Sequence, residues 1–136
     1  MGTHCLTIIH DDGVPLISMY RQHDGYLTCH GLELATFLFD MKIVNGLGLE
    51  RKRVANGAGC LAAQMIAQFK TTPGGFYIHP IPDSPEDLAE VDYVYNVHVD
   101  SDEITVLINR VGVCVEFQGT ATEFFDYCAT QVQGNK

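Results

Sequence analysis

The sequence predicts an α+β domain, an antiparallel sheet with helices packed on one face, in the element order ββααββββα. Three observations indicate this fold. Two alternating segments near the start flank Asp11-Asp12-Gly13, which is typical of a tight hairpin turn. Apolar residues then recur at helical spacing in two segments between 31 and 70. The last third of the chain alternates again in three segments before one more helical pattern.

Each element follows from a local pattern. The helical segments 31–41 and 57–70 carry apolar stripes, and Thr71-Thr72-Pro73-Gly74-Gly75 ends the second. Residues 80–90 are rich in proline and acids, which indicates a surface loop with one helical turn. Thr120 and Glu123 form a capping box that begins the last helix. The predicted strands are 3–10, 14–21, 76–79, 92–100, 103–110 and 113–118.

Composition limits the class of protein. The 136 residues are 46% hydrophobic and 18% charged, so we expect one folded domain that spans residues 1–136. The formal net charge is -9. A chain this acidic is poorly suited to DNA or RNA, because nonspecific affinity for phosphate backbones comes from clustered Lys and Arg. A local basic pocket can still bind a small anion.

The N-terminal residues, the lengths of the apolar runs and the cysteine spacings indicate the compartment and the need for cofactors. Residues 1–5 lack the basic start and apolar run of a secretory signal, and no segment approaches the roughly 20 apolar residues that span a membrane. The five cysteines include no Cys-x-x-Cys pair. We therefore expect a cytoplasmic protein with reduced thiols, no membrane contact, no structural zinc and no cofactor.

The strongest functional signal is the segment 20–31, where a predicted strand meets a predicted helix. A connection of this kind needs only turn residues and a helix cap, yet this one carries far more hydrogen-bonding and stacking capacity. Arg21 can grip a phosphate or carboxylate with two parallel bonds, and tyrosines can stack on a base. We expect Arg21 to serve binding and not the fold. The predicted ligand contacts here are Tyr20, Arg21, Gln22, Asp24, Tyr26 and His30.

Other interpretations of this segment stay open. Arg21 with two tyrosines packed at a sheet edge would be purely structural. His23 or His30 can act as a general acid or base, and together with Asp24 they can meet a metal. The spacing supports neither idea specifically, because no partnered nucleophile and no His-x-x-x-His pattern accompanies them. We expect no metal.

A second candidate site lies where the second helix begins. Asn56 and Gly57 follow the basic cluster Arg51-Lys52-Arg53, and unpaired N–H groups at a helix start attract anions. The alternative is a glycine-softened helix start with tight packing. The segment has neither the Gly-Lys-Ser/Thr ending of a P-loop nor a preceding strand. The predicted contacts are Asn45, Arg53, Asn56, Gly57 and Gln64.

Several motifs in the first 80 residues belong together as a series. They are Met1-Gly2-Thr3, Tyr20-Arg21-Gln22 with Asp24-Gly25-Tyr26, His30-Gly31 with Glu33-Leu34, Lys42-Ile43-Val44-Asn45-Gly46, Ala55-Asn56-Gly57, Gly59-Cys60-Leu61-Ala62-Ala63-Gln64 and Gly74-Gly75-Phe76-Tyr77. With this series the chain resembles a family of small, mostly uncharacterised proteins carried by phages, prophages and some archaeal genomes. It differs from that family's pattern at His4, where Arg is usual, and at 27–29, where Pro-Ser-Gly is usual. The resemblance implies an intracellular phage-related protein and supplies no reaction.

Three functions are consistent with these observations. The first is a phage accessory protein that binds and sequesters a small anionic, nucleotide-derived signalling molecule to counter host defence, by analogy with other small phage proteins. The second is an enzyme that degrades or modifies such a nucleotide. The third is an inhibitor whose acidic surface binds a host defence protein. Apolar residues around more than one side of the first and last helices, among them Phe39, Phe125 and Tyr127, also predict a homo-oligomer.

Overall fold

A six-stranded sheet is the centre of the fold. The structure is a computed structural model that describes residues 2–49 and 52–134. The strands are β1 Cys5–Asp11, β2 Val14–Arg21, β3 Lys42–Val44, β4 Val54–Asn56, β5 Phe76–His79, β6 Tyr93–Asp100, β7 Glu103–Arg110 and β8 Cys114–Thr120. The helices are α1 Leu32–Leu38, α2 Gly57–Phe69 and α3 Ala121–Gly134, with a π-helical turn at Leu27–Gly31 and a 3₁₀ turn at Pro85–Leu88.

The strands of the large sheet lie in the order β5-β2-β1-β6-β7-β8. Every described pair in it is antiparallel except β1 and β6, which run parallel at its centre. The α+β class is therefore confirmed, with one parallel pair inside a mostly antiparallel sheet. A parallel pair needs a long crossover connection, and the chain between β2 and β6, which contains α1 and α2, provides it. The short pair β3 and β4 forms a separate parallel sheet that the sequence pattern did not predict.

One face of the sheet, here called the inner face, packs against the three helices. Alternate strand residues such as Ile9, Met19 and Val97 point to this face and are almost completely buried. Leu61 of α2 and Phe124 of α3 meet them from the helical layer. The capping box at the start of α3 is confirmed, because Thr120 N–H donates to Glu123 Oε1 over 2.9 Å and Glu123 N–H donates to Thr120 Oγ1 over 3.2 Å.

The other face, here called the outer face, is covered at its centre by the segment between β5 and β6. Leu6, Ile8 and Val94 are buried there against Val91 and the partly buried Leu88. The 3₁₀ turn at Pro85–Leu88 lies within the loop that the sequence predicted to contain one helical turn. Both faces of β1 and β6 are consequently closed to water over much of their length.

The apolar residues that led us to expect an oligomer find partners within one chain. Phe39, which follows α1, packs on Phe125 of α3 with ring centroids 4.9 Å apart. Tyr127 stacks on Phe117 of β8 at 4.8 Å, and its hydroxyl donates to Glu116 Oε2. The observation behind the expectation is thus explained by the packing of α3 against α1 and β8.

The structure also bears on the predictions about thiols, metals and membrane spans. Cys5, Cys29, Cys60 and Cys128 are free thiols, of which Cys5 and Cys128 are buried. Within residues 2–49 and 52–134, no three His, Cys, Asp or Glu side chains lie close enough together to hold a metal ion. In the same part of the chain, no helix combines the length and apolarity needed to cross a bilayer.

The buried hydroxyl of Ser18 gives a first testable prediction. Its Oγ has no hydrogen-bond partner in the described part of the chain, whereas the equally buried Thr7 Oγ1 lies 2.7 Å from His30 Nε2. A buried hydroxyl without a partner is destabilising. We expect Ser18→Ala to raise the free energy of unfolding by up to about 1 kcal/mol, measured by urea denaturation.

Thr7→Val is the matched comparison, since it removes a buried hydroxyl that does have a partner. It should lower the free energy of unfolding by about 1–3 kcal/mol, because the imidazole of His30 loses its acceptor. If Ser18→Ala were the more destabilising of the two changes, the Ser18 hydroxyl would have a partner, such as a buried water.

Candidate functional site

Arg21 lies at the end of β2 and lines a cleft beside the helical layer. The cleft has a volume of about 520 Å³, within the range of small-molecule sites. Glu33 and Thr36 of α1 form one wall, Phe69 at the end of α2 forms another, and Phe76 of β5 lies beside Arg21. Arg21 and Phe76 are directly paired in the β2–β5 register, which fixes their relation through the backbone.

The Arg21 guanidinium is held by contacts on several sides. Nη1 donates to the carboxylate of Glu33 and to Nδ1 of His30, the latter over 3.2 Å. The guanidinium carbon lies 4.9 Å from the centroid of the Phe76 ring, close enough for a cation–π contact. The Arg21 side chain is only 12% exposed, whereas that of Glu33 is 49% exposed. Burial lowers the pKa of Arg21, but the hydrogen bond and charge of Glu33 outweigh it and raise that pKa.

These contacts revise the expectation that Arg21 serves binding alone. A side chain that pairs with a buried imidazole and packs on an aromatic ring also stabilises the fold. Its removal would leave His30 Nδ1 buried without a donor. We expect a cost of about 1–3 kcal/mol for that loss, above the roughly 0.5 kcal/mol of a typical surface change.

His30 is completely buried beneath Arg21. Its Nε2 lies 2.7 Å from Thr7 Oγ1, and its ring packs on Tyr95 at 5.0 Å and Phe69 at 5.3 Å. An arginine can only donate, so Nδ1 must accept and the single ring proton belongs on Nε2, which donates to Thr7. Burial, followed by the charge of Arg21, lowers the pKa of His30 to about 3. His30 is therefore a neutral support for Arg21.

The sequence placed His30 among the ligand contacts and, as an alternative, among the catalytic groups. Both assignments conflict with the geometry, because the ring has no exposed surface and both ring nitrogens are engaged. A polar residue in a loop is normally solvated, and nothing in the local pattern predicted that the π-helical turn at Leu27–Gly31 would place His30 in the core.

The loop that carries these groups is tied closely to the sheet. Tyr95 donates its hydroxyl to the Gly25 carbonyl over 2.8 Å, and Gly25 N–H donates to the Thr3 carbonyl over 2.9 Å. A Cβ at Gly25 would lie 2.9 Å from Cys5 Cβ and 3.0 Å from Cys5 N, so the loop approaches β1 at a distance that only glycine permits. This anchoring fixes the segment between Arg21 and His30.

Tyr20 does not share a site with Arg21. Neighbouring residues on a strand point to opposite faces, so Tyr20 lies on the outer face while Arg21 lies on the inner face. The Tyr20 hydroxyl is 3.0 Å from His4 Nδ1, and its ring lies near Tyr77 and His79. The predicted ligand contact at Tyr20 therefore lies on the other side of the sheet from the Arg21 cleft.

The other residues of the loop fall into two groups. Gln22 uses its backbone, donating its N–H to the Gly75 carbonyl and placing its own carbonyl 2.6 Å from His4 Nδ1. His23, Asp24 and Tyr26 are exposed. Asp24 and Tyr26 also hold the turn through their carbonyls, which accept from His30 N–H and Gly31 N–H respectively. Their side chains remain predicted ligand contacts at the rim.

The second predicted site lies elsewhere. Asn45, Asn56 and Gly57 line a depression together with Asp11, Asp12 and Asp102. Phe69, which lines the Arg21 cleft, is at the opposite end of α2, and 13 residues of helix span about 18–20 Å. The two predicted sites are therefore separate. Three carboxylates beside the start of α2 also oppose an anion there, contrary to the sequence prediction.

Gln64 and Arg53 hold elements together. Gln64 Nε2 donates to the Val54 carbonyl over 3.2 Å and joins α2 to β4. Arg53 Nη2 donates to the Thr36 carbonyl over 3.2 Å, behind the wall of the cleft. Arg51, the first residue of the basic cluster, lies outside the described residues.

Sequence reasoning missed Glu33, Phe69 and Phe76 as cleft residues. Glu33 carried a usable signal, because it is three residues from His30 in the first turn of a helix, where acids are favoured. Phe69 belonged to an apolar stripe that was assigned to the core. Phe76 reaches Arg21 only through the β2–β5 pairing, which no local pattern reveals.

The cleft can bind an anion against an aromatic surface. Arginine has five N–H donors, and the bonds to Glu33, His30 and Cys29 Sγ use the two on Nη1 and one on Nη2. In the part of the chain that the structure describes, Nε–H and the second Nη2–H have no acceptor. Two donors on one planar group match a phosphate or carboxylate.

The state of His30 gives a testable prediction. The unfolded chain takes up a proton near the ordinary pKa of 6.5, and the folded protein does so only near 3. The free energy of unfolding should therefore fall as the pH drops from 6.5 towards 3. Urea denaturation at several pH values measures this loss, and ¹⁵N NMR should show the Nε2–H tautomer of His30 persisting down to about pH 4.

His30→Gln is the control, because its amide can donate to Thr7 and does not titrate. The acid-dependent loss of stability should be smaller in this variant. A His30 ring that becomes protonated near pH 6.5 in the folded protein would contradict the assignment.

Comparisons of the chain with protein-family models, with curated proteins and with solved structures each found no significant match. The resemblance to phage proteins noted from the motifs therefore stays a prediction, and the functional argument depends on the geometry of the cleft.

Proposed function

We propose that this protein binds a small anionic, nucleotide-derived ligand in the Arg21 cleft without transforming it. One observation carries the proposal: a guanidinium oriented by Glu33, His30 and Phe76 presents two further N–H donors in a cleft of about 520 Å³. A fixed guanidinium loses little conformational entropy when it binds, which favours affinity.

The ring faces of Phe69 and Phe76 suit the planar part of such a ligand. Both residues line the cleft, and their ring centroids are 5.6 Å apart. Stacking of a base on an aromatic side chain contributes about 1–3 kcal/mol. An anion on Arg21 with a base on one of these rings therefore accounts for the pairing of charge and aromatic surface.

Glu33 is the group with which the ligand competes. Its carboxylate neutralises Arg21 in the free protein, yet half of its side chain is exposed. The Glu33 side chain can rotate out into the solvent when an anion binds, whereas Arg21 remains held by His30 and Phe76. Because a ligand must displace the Glu33 carboxylate from Arg21, the pair favours ligands with more than one negative charge.

The biological role that we propose follows from the family resemblance. A small phage-related protein that holds a nucleotide signal intact would counter host defence by sequestration. An enzyme acting on that nucleotide, with His23 as its acid or base, and an inhibitor that binds a host protein are the alternatives. The buried, neutral state of His30 disfavours an enzyme built on that residue.

The first prediction separates the two charges of the cleft. Glu33→Gln frees the guanidinium, so binding of AMP or pyrophosphate, measured by calorimetry, should tighten by about tenfold. Arg21→Lys keeps the charge but loses the planar fork, and it should weaken binding by at least about tenfold.

Lys42→Ala is the charge control, because it lowers the net charge by one at an exposed position of β3, whereas Arg21→Lys leaves the net charge unchanged. Binding should stay unchanged in Lys42→Ala. A loss in Lys42→Ala as large as that in Arg21→Lys would show that the overall charge of the protein attracts the probe. A Glu33→Gln variant that binds like wild type would remove Glu33 from the site.

The second prediction concerns the fate of the ligand. Protein purified from cells with an active nucleotide-based defence should release an intact nucleotide on denaturation, detected by mass spectrometry. Release of a cleaved or modified nucleotide would favour the enzyme. Recovery of a host protein with no small molecule would favour the inhibitor.

Self-association also remains a proposal. The exposed apolar side chains that could support it lie on the two edge strands, with Tyr77 and Ile78 on β5 and Val115 on β8. Edge strands are the usual sites of pairing between chains. We expect light scattering at micromolar concentration to give at least twice the 15.0 kDa of one chain. A particle of 15.0 kDa would contradict the dimer.

A further inference from the structure

A groove lies on the outer face of the sheet, on the opposite side from the Arg21 cleft. Its volume is about 590 Å³, again within the range of small-molecule sites. The floor comes from β1, β6 and β7, with His10, Asn96 and Asn109 among its polar residues. Pro82, Pro85 and Leu88 line one side of it.

The polar residues of the floor form a hydrogen-bonded chain whose direction is fixed. Asn96 Nδ2 lies 3.3 Å from the Leu107 carbonyl, which can only accept, so this atom must be the amide nitrogen. The same Nδ2 donates to Asn109 Oδ1 over 3.1 Å. Asn96 Oδ1 must then accept from His10 Nε2, which lies 2.9 Å away. The Leu107 carbonyl therefore determines the direction of the hydrogen bonds among the side chains of His10, Asn96 and Asn109.

The hydrogen-bonded series ends at the side-chain amide of Asn109, whose N–H donors are unused. Because Asn109 Oδ1 accepts from Asn96, the two hydrogens of Asn109 Nδ2 have no acceptor in the part of the chain that the structure describes. Arg110, the next residue, contributes to the lining, but its guanidinium lies on the inner face, 5.9 Å from the centroid of the Tyr93 ring. Although the net charge of the protein is -9, no Asp or Glu of the described residues lines the groove. This end of the groove therefore offers donors to a carboxylate, and no acid in the described lining repels it.

The rest of the groove is apolar and stiff. Proline has a fixed φ angle, so the wall formed by Pro82 and Pro85 is largely set before any ligand binds. Val111 and Val113 line the groove as well, and Val113 is 70% exposed. Apolar walls with a few oriented polar groups at one place are the usual composition of a ligand site.

We propose that this groove is a second binding site, for a small apolar carboxylic acid. Its carboxylate accepts from the Asn109 amide, and its apolar part lies along the wall formed by Pro82, Pro85 and Leu88. The sheet separates it from the Arg21 cleft, so the two sites bind their ligands independently.

Asn109→Asp tests the proposal with a change of one group. The substituted side chain keeps an oxygen that accepts from Asn96, but it replaces the free NH₂ with a charged oxygen. Octanoate is the probe and 1-octanol its uncharged counterpart, with binding measured by NMR titration. We expect octanoate to bind wild type more tightly than 1-octanol and to shift the Asn109 side-chain amide signals. In Asn109→Asp, octanoate should bind at least about tenfold more weakly, with 1-octanol unchanged.

Gln118→Leu is the matched control, because it removes an exposed amide from β8, outside the groove. It should bind octanoate like wild type. If Asn109→Asp fails to fold, the wild-type titration still decides, since the Asn109 and Asn96 amide signals must shift. Octanoate binding that is absent at millimolar concentration, equal to that of 1-octanol, or insensitive to Asn109→Asp would overturn the proposal.

Discussion

The fold depends on the burial of β1 on both of its faces. This strand pairs with β2 on one side and β6 on the other, and residues 5–9 are all buried. A strand in this position requires two covering layers. The helices supply the inner layer and the segment between β5 and β6 supplies the outer one. Each layer leaves an opening where its cover ends, and the Arg21 cleft and the outer groove are these openings.

Periodicity along the chain predicted most elements but not their arrangement. The strands, the three helices and the capping box follow from local apolar spacing and cap residues. The parallel pairing of β1 with β6 does not, because alternation is the same in either strand direction. The pair β3 and β4 was also missed, since three residues are too few to show alternation.

The candidate site was predicted in part, and the errors have physical causes. Arg21 was identified because a guanidinium in a loop this rich in polar groups can grip a phosphate or carboxylate, and it does line a cleft. Tyr20 lies on the opposite face of the sheet from Arg21, as the alternation of side chains along a strand requires. The remaining polar excess of the loop proved to be largely structural. Gly25, His30 and the carbonyl of Gln22 attach the loop to the sheet, which a sequence cannot distinguish from ligand binding.

The parallel pairing of β1 with β6 at the centre of the sheet also sets how early the sheet can be completed during synthesis of the chain. Cys5 of β1 pairs with Tyr93 of β6, so the ribosome must add 88 residues after Cys5 before its partner has been synthesised. At about 5–20 residues per second, a ribosome needs about 4–18 s for that stretch. During this interval Leu6, Ile8 and Ile9 have no β6 to pair with. The nascent chain thus passes through a period in which the strand with the longest run of buried residues is open to chaperones or to misassociation with other chains.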